Sequence, residues 1–423
     1  MSIRLASLVA GLVLAPLAHP ADVLIRQARV VDGTGAAAVV ADVRIRGERI
    51  AEVAPRLDPL PGEELREARG LVLAPGFIDT HSHADRGLLA DPDAATQTRQ
   101  GVTTLLVGQD GESAYPLGDW LAKLDATPRA VNVASMVGHA TVRAQVMGRG
   151  LFRASRPDEL EVMKRIVAAE MAAGAFGLSS GLEYEEAHFS TTDEVIELAK
   201  VAGAAGGSYI SHVRDEGLKV FDALDELMRI GREAKLPVQI THIKLGAPDT
   251  WRLAAARMPA YFERAAREGI DLRADVYPYT YWHSTIRVLV PDRAFFDPQK
   301  VAAGIKNNGG AGNIRLARYT PDPRIAGKTI AEIAAFWGVS EVDAYMRLVR
   351  ETMGELVAGG EMESIIGTSM HEDDVRWFVA HPQVAFCSDG ELHGAHPRGA
   401  GTFPRILGRY VREQGALSLE SPA

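Results

Sequence analysis

Leu71-Val-Leu-Ala-Pro75-Gly-Phe-Ile-Asp79-Thr-His81-Ser-His83 decides the fold. Pro75-Gly76 is turn punctuation and Phe77-Ile78 open a short apolar run, after which His81 and His83 stand two residues apart. On an extended strand such residues project from one face. Two imidazoles aimed the same way at a strand end can grip a divalent cation. An isolated His-x-His is as often an ordinary loop pair, so the rest of the chain has to decide.

Downstream, short apolar strands alternate with helical stretches, the pattern of parallel βαβ units. Strands are expected near Phe77–His81, Thr103–Gly108, Val131–Val137, Phe176–Ser180, Ser208–His212, Val238–His242, Leu272–Tyr277 and Val384–Ser388. Eight such units predict an α/β chain closed into a (β/α)8 TIM-type barrel. Between them, Thr191-Thr-Asp-Glu194 reads as a capping box and Pro157 as a helix start. Phe403, Ile406, Leu407, Tyr410 and Val411 form the expected inner face of the last helix. An insertion at about 281–380 precedes the eighth strand and walls one side of the barrel mouth.

Upstream, residues 22–74 read as a small β-sheet. Val43 and Ile45 alternate with Arg44 and Arg46, a period of two with one buried face. Before that, Arg4 and the apolar run Leu5–Ala18 have the build of a secretory signal over residues 1–21, with Ala18 and Ala21 as candidate cleavage positions. The run is too short for a membrane span. Export to the periplasm or medium is therefore expected, against a cytoplasmic chain with an uncleaved strand there. Net charge is -9 with no Lys/Arg block, which argues against nucleic acid or an anionic membrane as partner. A single cysteine, Cys387, excludes an intrachain disulfide framework and a Cys-rich zinc site.

In a closed parallel barrel the carboxyl ends of the strands converge on one rim. That rim collects His81 and His83 (strand one), Gln109-Asp110 (two), Glu183-Tyr184 (four), His212 (five), His242 (six) and Asp389 (eight). Each alone is a turn residue or structural histidine as readily as a ligand. Histidines at strands one, five and six with an aspartate at eight point jointly to metal. A zinc-like ion would acidify water from a pKa of 15.7 to about 7. Asp389 would then carry the proton from the activated water to the leaving amine.

This order resembles the metal-dependent amidohydrolase superfamily. More narrowly, Pro75-Gly-Phe-Ile-Asp-Thr-His-Ser-His83, Gly177-Leu-Ser-Ser-Gly-Leu182, Ser211-His-Val-Arg-Asp-Glu-Gly217, Ile240-Thr-His-Ile-Lys244 and Asp275-Val-Tyr-Pro-Tyr279 resemble the D-aminoacylases, or N-acyl-D-amino-acid deacylases. The resemblance implies a barrel over residues 75–415 beside a small β-sandwich, one or two divalent ions (zinc, with manganese or cobalt as alternatives) and hydrolysis of an N-acyl-D-amino acid. His212 and His242 would hold the principal metal, with His81 and His83 on a second or shared site. Glu183 stands where many relatives have a carbamylated lysine and could bridge the ions. Asp110 replaces the family's usual cysteine, as a ligand or as a loop residue. Lys244 and Arg398 would meet the substrate carboxylate, with Tyr184 and Tyr279 as hydroxyl donors. The resembling enzymes continue beyond Leu417-Ser-Leu-Glu420, so residues 416–423 are expected to be a truncated end and the sandwich to lack its C-terminal half. Two alternatives follow: an incompetent or binding-only relative, and a hydrolase of isoaspartyl dipeptides or cyclic amides.

Overall fold

The computed structural model describes residues 22–353 and 362–421; the apolar run Leu5–Ala18 lies outside the described residues. The chain divides into two compact units, one taking in the described residues up to Pro75 with a short stretch from Leu419, the other Gly76–Ser418.

The first unit is a five-stranded sheet. Strand β1 (Val23–Val30) pairs antiparallel with β2 (Val39–Arg46), which pairs with β3 (Arg49–Ala54); β1 also runs parallel to β4 (Glu64–Glu67) and β5 (Val72–Leu73). Leu24, Ala28, Ala41 and Val43 are buried, as the period-two pattern requires. Arg44 departs from that pattern: it too is buried, because Glu63 and Glu52 pair its guanidinium and the Asp58 carbonyl accepts a further bond. A buried arginine needs acceptors on several sides to offset its desolvation, and Arg44 has them. Within the same unit Arg29 pairs with Glu420 at 2.6 Å.

The second unit is a distorted (β/α)8 barrel. In chain order its first seven strands are β6 (Phe77–Asp79), β7 (Val102–Val107), β8 (Asn132–Ser135) continued past Met136 by β9 (Val137–Gly138), β10 (Gly177–Gly181), β11 (Ser208–His212), β12 (Val238–Ile240) and β13 (Leu272–Val276). The insertion contributes β14 (Trp282–Ser284), β15 (Ile314–Tyr319) and β16 (Glu363–Gly367) as a separate antiparallel sheet, and β17 (Val384–Phe386) is the eighth barrel strand. Neighbours pair in parallel as β6-β7-β8 and β9-β10-β11-β12-β13-β17. Closure comes at the carboxyl end, where Ser82 bridges Gly390, His83 N–H donates to the Gly390 carbonyl at 2.9 Å and Asp389 N–H donates to that of His81 at 2.8 Å. The last strand is thus tied to the first at His81, His83 and Asp389, three of the expected ligands.

Helices follow their local signals with two instructive departures. Thr191 caps the helix Thr192–Ala204 by accepting from Glu194 N–H, yet the return bond of a capping box is missing. The Glu194 carboxylate is taken instead by Arg143, His139 and Ser155. The helix Arg398–Arg405 runs on into a π-helical segment, Ile406–Glu413. Its extra residue per turn shifts the apolar stripe, so Phe403, Ile406 and Tyr410 are buried while Leu407 is exposed. Among the described residues no helix is long and apolar enough to cross a membrane.

Candidate metal centre

Three residues expected to meet a cation sit in backbone geometry that most side chains avoid. Asp110, His242 and Asp389 have φ of +55°, +36° and +47°, each two or three residues past the end of a barrel strand. Left-handed backbone costs a non-glycine residue of order 1–3 kcal/mol and persists only where the surroundings enforce it. Here the enforcement is visible. Asp275 on β13 accepts from His242 N–H, from Thr80 Oγ1 at 2.8 Å and from Gln239 Nε2 at 2.6 Å. Asp79 on β6 accepts from Ser388 N–H at 2.7 Å and from its hydroxyl, fixing the residue before Asp389. Gly108 and Gly111 flank Gln109-Asp110 with φ of +74° and +84°. A Cβ on Gly108 would meet the Met136 carbonyl oxygen at 2.6 Å, so this turn admits only glycine.

The result is a buried ring of donors. His81 Nε2 lies 3.4 Å from His83 Nε2 and 3.5 Å from Asp389 Oδ1, and His83 Nε2 lies 3.4 Å from the same Asp389 oxygen. On the other side His242 Nε2 is 3.1 Å from His212 Nδ1 and 3.3 Å from Asp110 Oδ1. Asp110 spans the two sets, its Oδ1 3.5 Å from His81 Nε2 and its Oδ2 3.4 Å from His83 Nε2. Donors bound tetrahedrally at about 2.0–2.1 Å from one ion stand roughly 3.3 Å apart, so these spacings suit one or two divalent ions. An orphaned atom agrees: buried Asp110 Oδ1 has no hydrogen-bond partner among the described residues. His81, Asp110, His242 and Asp389 together, and His212, Glu216 and His242 together, have donor atoms close enough to share a cation.

Charge is arranged to keep both carboxylates ionised. Burial alone would raise Asp110, but His81 and His242 outweigh it and hold the carboxyl well below the usual range. Asp389 is likewise held low against burial, chiefly by Arg398, whose Nη1 is 2.6 Å from Oδ2. That leaves Asp389 Oδ1 to the histidines. Nitrogen and oxygen donors with no thiolate suit zinc, manganese or cobalt. Cys387 is buried beneath this layer and its thiol is pushed up by burial, as expected of a core residue.

The remaining expected residues are placed as follows. Glu183 Oε2 is 2.8 Å from His212 Nε2, the ring nitrogen facing away from His242. Tyr184 packs its ring on His212, centroids 4.5 Å apart. Lys244 is buried with Nζ 2.8 Å from both Glu216 oxygens and 2.7 Å from His242 Nδ1. Tyr279 is not brought to the site: it lines neither adjoining cavity and packs instead beside Arg405, Tyr281 and His396. The tyrosine beneath Lys244 and Arg398 is Tyr277, two residues earlier. His139 belongs to the buried Arg143–Glu194 network. Glu216, Asp275 and Asp79 escaped the sequence reading, although each lies inside a quoted motif. Nothing local tells a carboxylate that supports a ligand from one in a loop.

Two cavities open beside the donors, one of 320 Å³ and one of 690 Å³. They share Tyr184, His283, Ser284, Val288, Asp389 and Arg398, so the segment from Trp282 to Val290 divides the mouth of the barrel over Asp389. Lys244 and Glu216 line the smaller cavity, with Trp282, Leu289 and Val290 as apolar wall. Arg287, Arg293 and Arg318 line the larger.

Comparison with known proteins gives a consistent answer. Residues 64–300 match the model of the Amidohydrolase family. The chain is 35% identical to an N-acyl-D-glutamate deacylase of Alcaligenes xylosoxydans xylosoxydans, over 95% of this chain and 80% of that protein. A D-aminoacylase of the same organism is 34% identical over 95% of this chain and 82% of its own. Among solved structures, a D-aminoacylase superposes with a TM-score of 0.80 at 32% identity, covering 95% of this chain and 83% of that one. An N-acyl-D-glutamate deacylase from Bordetella bronchiseptica, complexed with zinc and a phosphonate mimic of the tetrahedral intermediate, gives 0.82 at 31% identity, covering the same shares of the two chains.

Proposed function

Because this chain belongs to the amidohydrolase superfamily, and within it to the D-aminoacylase or N-acyl-D-amino-acid deacylase family, we propose that it hydrolyses N-acyl-D-amino acids. The chain is a metal-dependent hydrolase of carbon–nitrogen bonds. The observation that carries the substrate reading is the position of Asp389, between the histidine donors and Arg398, at the meeting of two cavities. An amide has a group on each side of its scissile bond, and two cavities meeting over one carboxylate suit both.

His81, His83, Asp110, His212, His242 and Asp389 would hold the ions; when bound, a zinc-type ion supplies carbonyl polarisation and acidifies water. The chain's own groups do the rest. Asp389, kept ionised by Arg398, accepts a proton from the attacking water and returns it to the departing nitrogen. Arg398 has five N–H donors; one faces Asp389 and another the His283 carbonyl, so it retains capacity for a substrate carboxylate. Lys244 adds positive charge to the same cavity while Glu216 holds its ammonium in place. Tyr184, at the junction of the cavities, offers a hydroxyl to the developing charge. Arg4 and the run Leu5–Ala18 support an exported enzyme.

The test is amine release from a panel of N-acetyl-D- and N-acetyl-L-amino acids with Zn²⁺ added. D-specific turnover supports the reading. Silence across the panel in protein that retains metal would instead favour a binding-only relative, and turnover confined to isoaspartyl dipeptides or cyclic amides would move the substrate class.

A further inference from the structure

His212 shows its two ring nitrogens to different partners. Nδ1 is 3.1 Å from His242 Nε2, on the side of the donors, and Nε2 is 2.8 Å from Glu183 Oε2. A neutral imidazole has one N–H and one lone pair, and an ionised carboxylate can only accept. With the Glu183 carboxylate ionised, the bond places the proton on Nε2 and leaves the Nδ1 lone pair for a cation. Glu183 is buried, and among the described residues the bond to His212 is the one that engages its carboxylate. It belongs to neither group of donors close enough to share a cation. Glu216 Oε2 is the other carboxylate near Nε2, at 3.5 Å, but both its oxygens are committed to Lys244. The Tyr184 ring lies against the imidazole and limits its rotation.

We propose that Glu183 is a positioning residue, which fixes the tautomer and rotation of His212 so that Nδ1 faces the ion, and that it does not bridge two ions. Outer carboxylates on metal-binding histidines raise ligand basicity, and their loss typically weakens metal binding 10–100-fold without removing a ligand. The proposal rests on the metal-centre reading above, and its test separates the two.

Chelator-stripped wild type, Glu183→Ala and Glu183→Gln are titrated with Co²⁺ against a chromophoric competitor, and the visible absorption of the cobalt forms is recorded. Wild type should bind one or two ions. Glu183→Ala should keep that stoichiometry with one ion held about 10–100-fold more weakly and an altered cobalt spectrum. Glu183→Gln, whose amide oxygen still accepts from Nε2–H, should recover to within a few-fold of wild type. Unchanged affinity and spectrum in Glu183→Ala would overturn the proposal while leaving the metal centre intact. Loss of a whole equivalent in both variants would overturn it in favour of a bridging ligand. Absence of binding by wild type would remove the metal centre and this proposal together. Should Glu183→Ala fail to fold, Glu183→Leu takes its place with the same readings: unchanged stoichiometry with weakened affinity and an altered spectrum supports positioning, and unchanged affinity or loss of a whole equivalent refutes it.

Discussion

Replacing Asp389 by asparagine isolates the proton carrier from the ion holders. The side chain keeps its shape and its Oδ1 but loses its charge and basicity. Five other donors remain, with His81, His83, His212 and His242 on three strand ends and Asp110 spanning the two sets. Metal should therefore stay bound, with affinity reduced and stoichiometry unchanged. Turnover should fall by the usual contribution of a positioned base, 10²–10⁴-fold, which is about 2.7–5.4 kcal/mol of transition-state stabilisation at about 1.36 kcal/mol per decade. Stability should fall as well. Arg398 is buried with its Nη1 2.6 Å from Asp389 Oδ2, and a neutral amide replaces a charge-assisted bond there. That exchange costs about 1–3 kcal/mol. The assay combines amine release after zinc reconstitution, metal content by elemental analysis and a urea midpoint. Activity within tenfold of wild type, with metal content intact, would refute the assignment of the proton to Asp389. Loss of both ions would show instead that Asp389 is indispensable as a ligand.

Three further outcomes are expected. Asp110→Ala, by removing the carboxylate that spans the two donor sets, should lower metal content in elemental analysis; unchanged content would make Asp110 a loop residue. Glu194→Gln should destabilise the fold by about 3–5 kcal/mol at neutral pH, because Arg143 is fully buried and loses its counter-charge. Burial would raise Glu194, but His139 and Arg143 outweigh it and the folded carboxyl lies below its ordinary 4.5. A depressed folded value stabilises above the unfolded pKa and loses that stability as pH falls through the folded one. The gap between wild type and variant in urea midpoint should therefore be full at neutral pH and shrink in acid below about 4; a pH-independent gap would exclude the charge as its source. Finally, chelation should abolish turnover, and Zn²⁺, Mn²⁺ or Co²⁺ should each restore it in an amine-release assay; activity surviving complete metal removal would contradict the centre.

The alternation of apolar runs with helical stretches specified the eight parallel strands, because backbone pairing and a buried core leave a chain of that pattern few other solutions. The same local rule put His81, His83, His212, His242 and Asp389 at strand ends, where parallel closure brings them to one rim. The family resemblance rested on these same stretches. Side-chain direction was not legible. Glu183 points to the outer face of His212, Lys244 is bound by Glu216, and Tyr277 rather than Tyr279 underlies the cations. Burial of Arg44 and diversion of Glu194 from its own helix cap were equally hidden. Each depends on a partner between eight and more than fifty positions away, and which partner wins is settled by the competition of several acceptors for one donor in a closed interior. Sequence spacing fixes what lies on a strand end; only packing in three dimensions fixes what each group there faces.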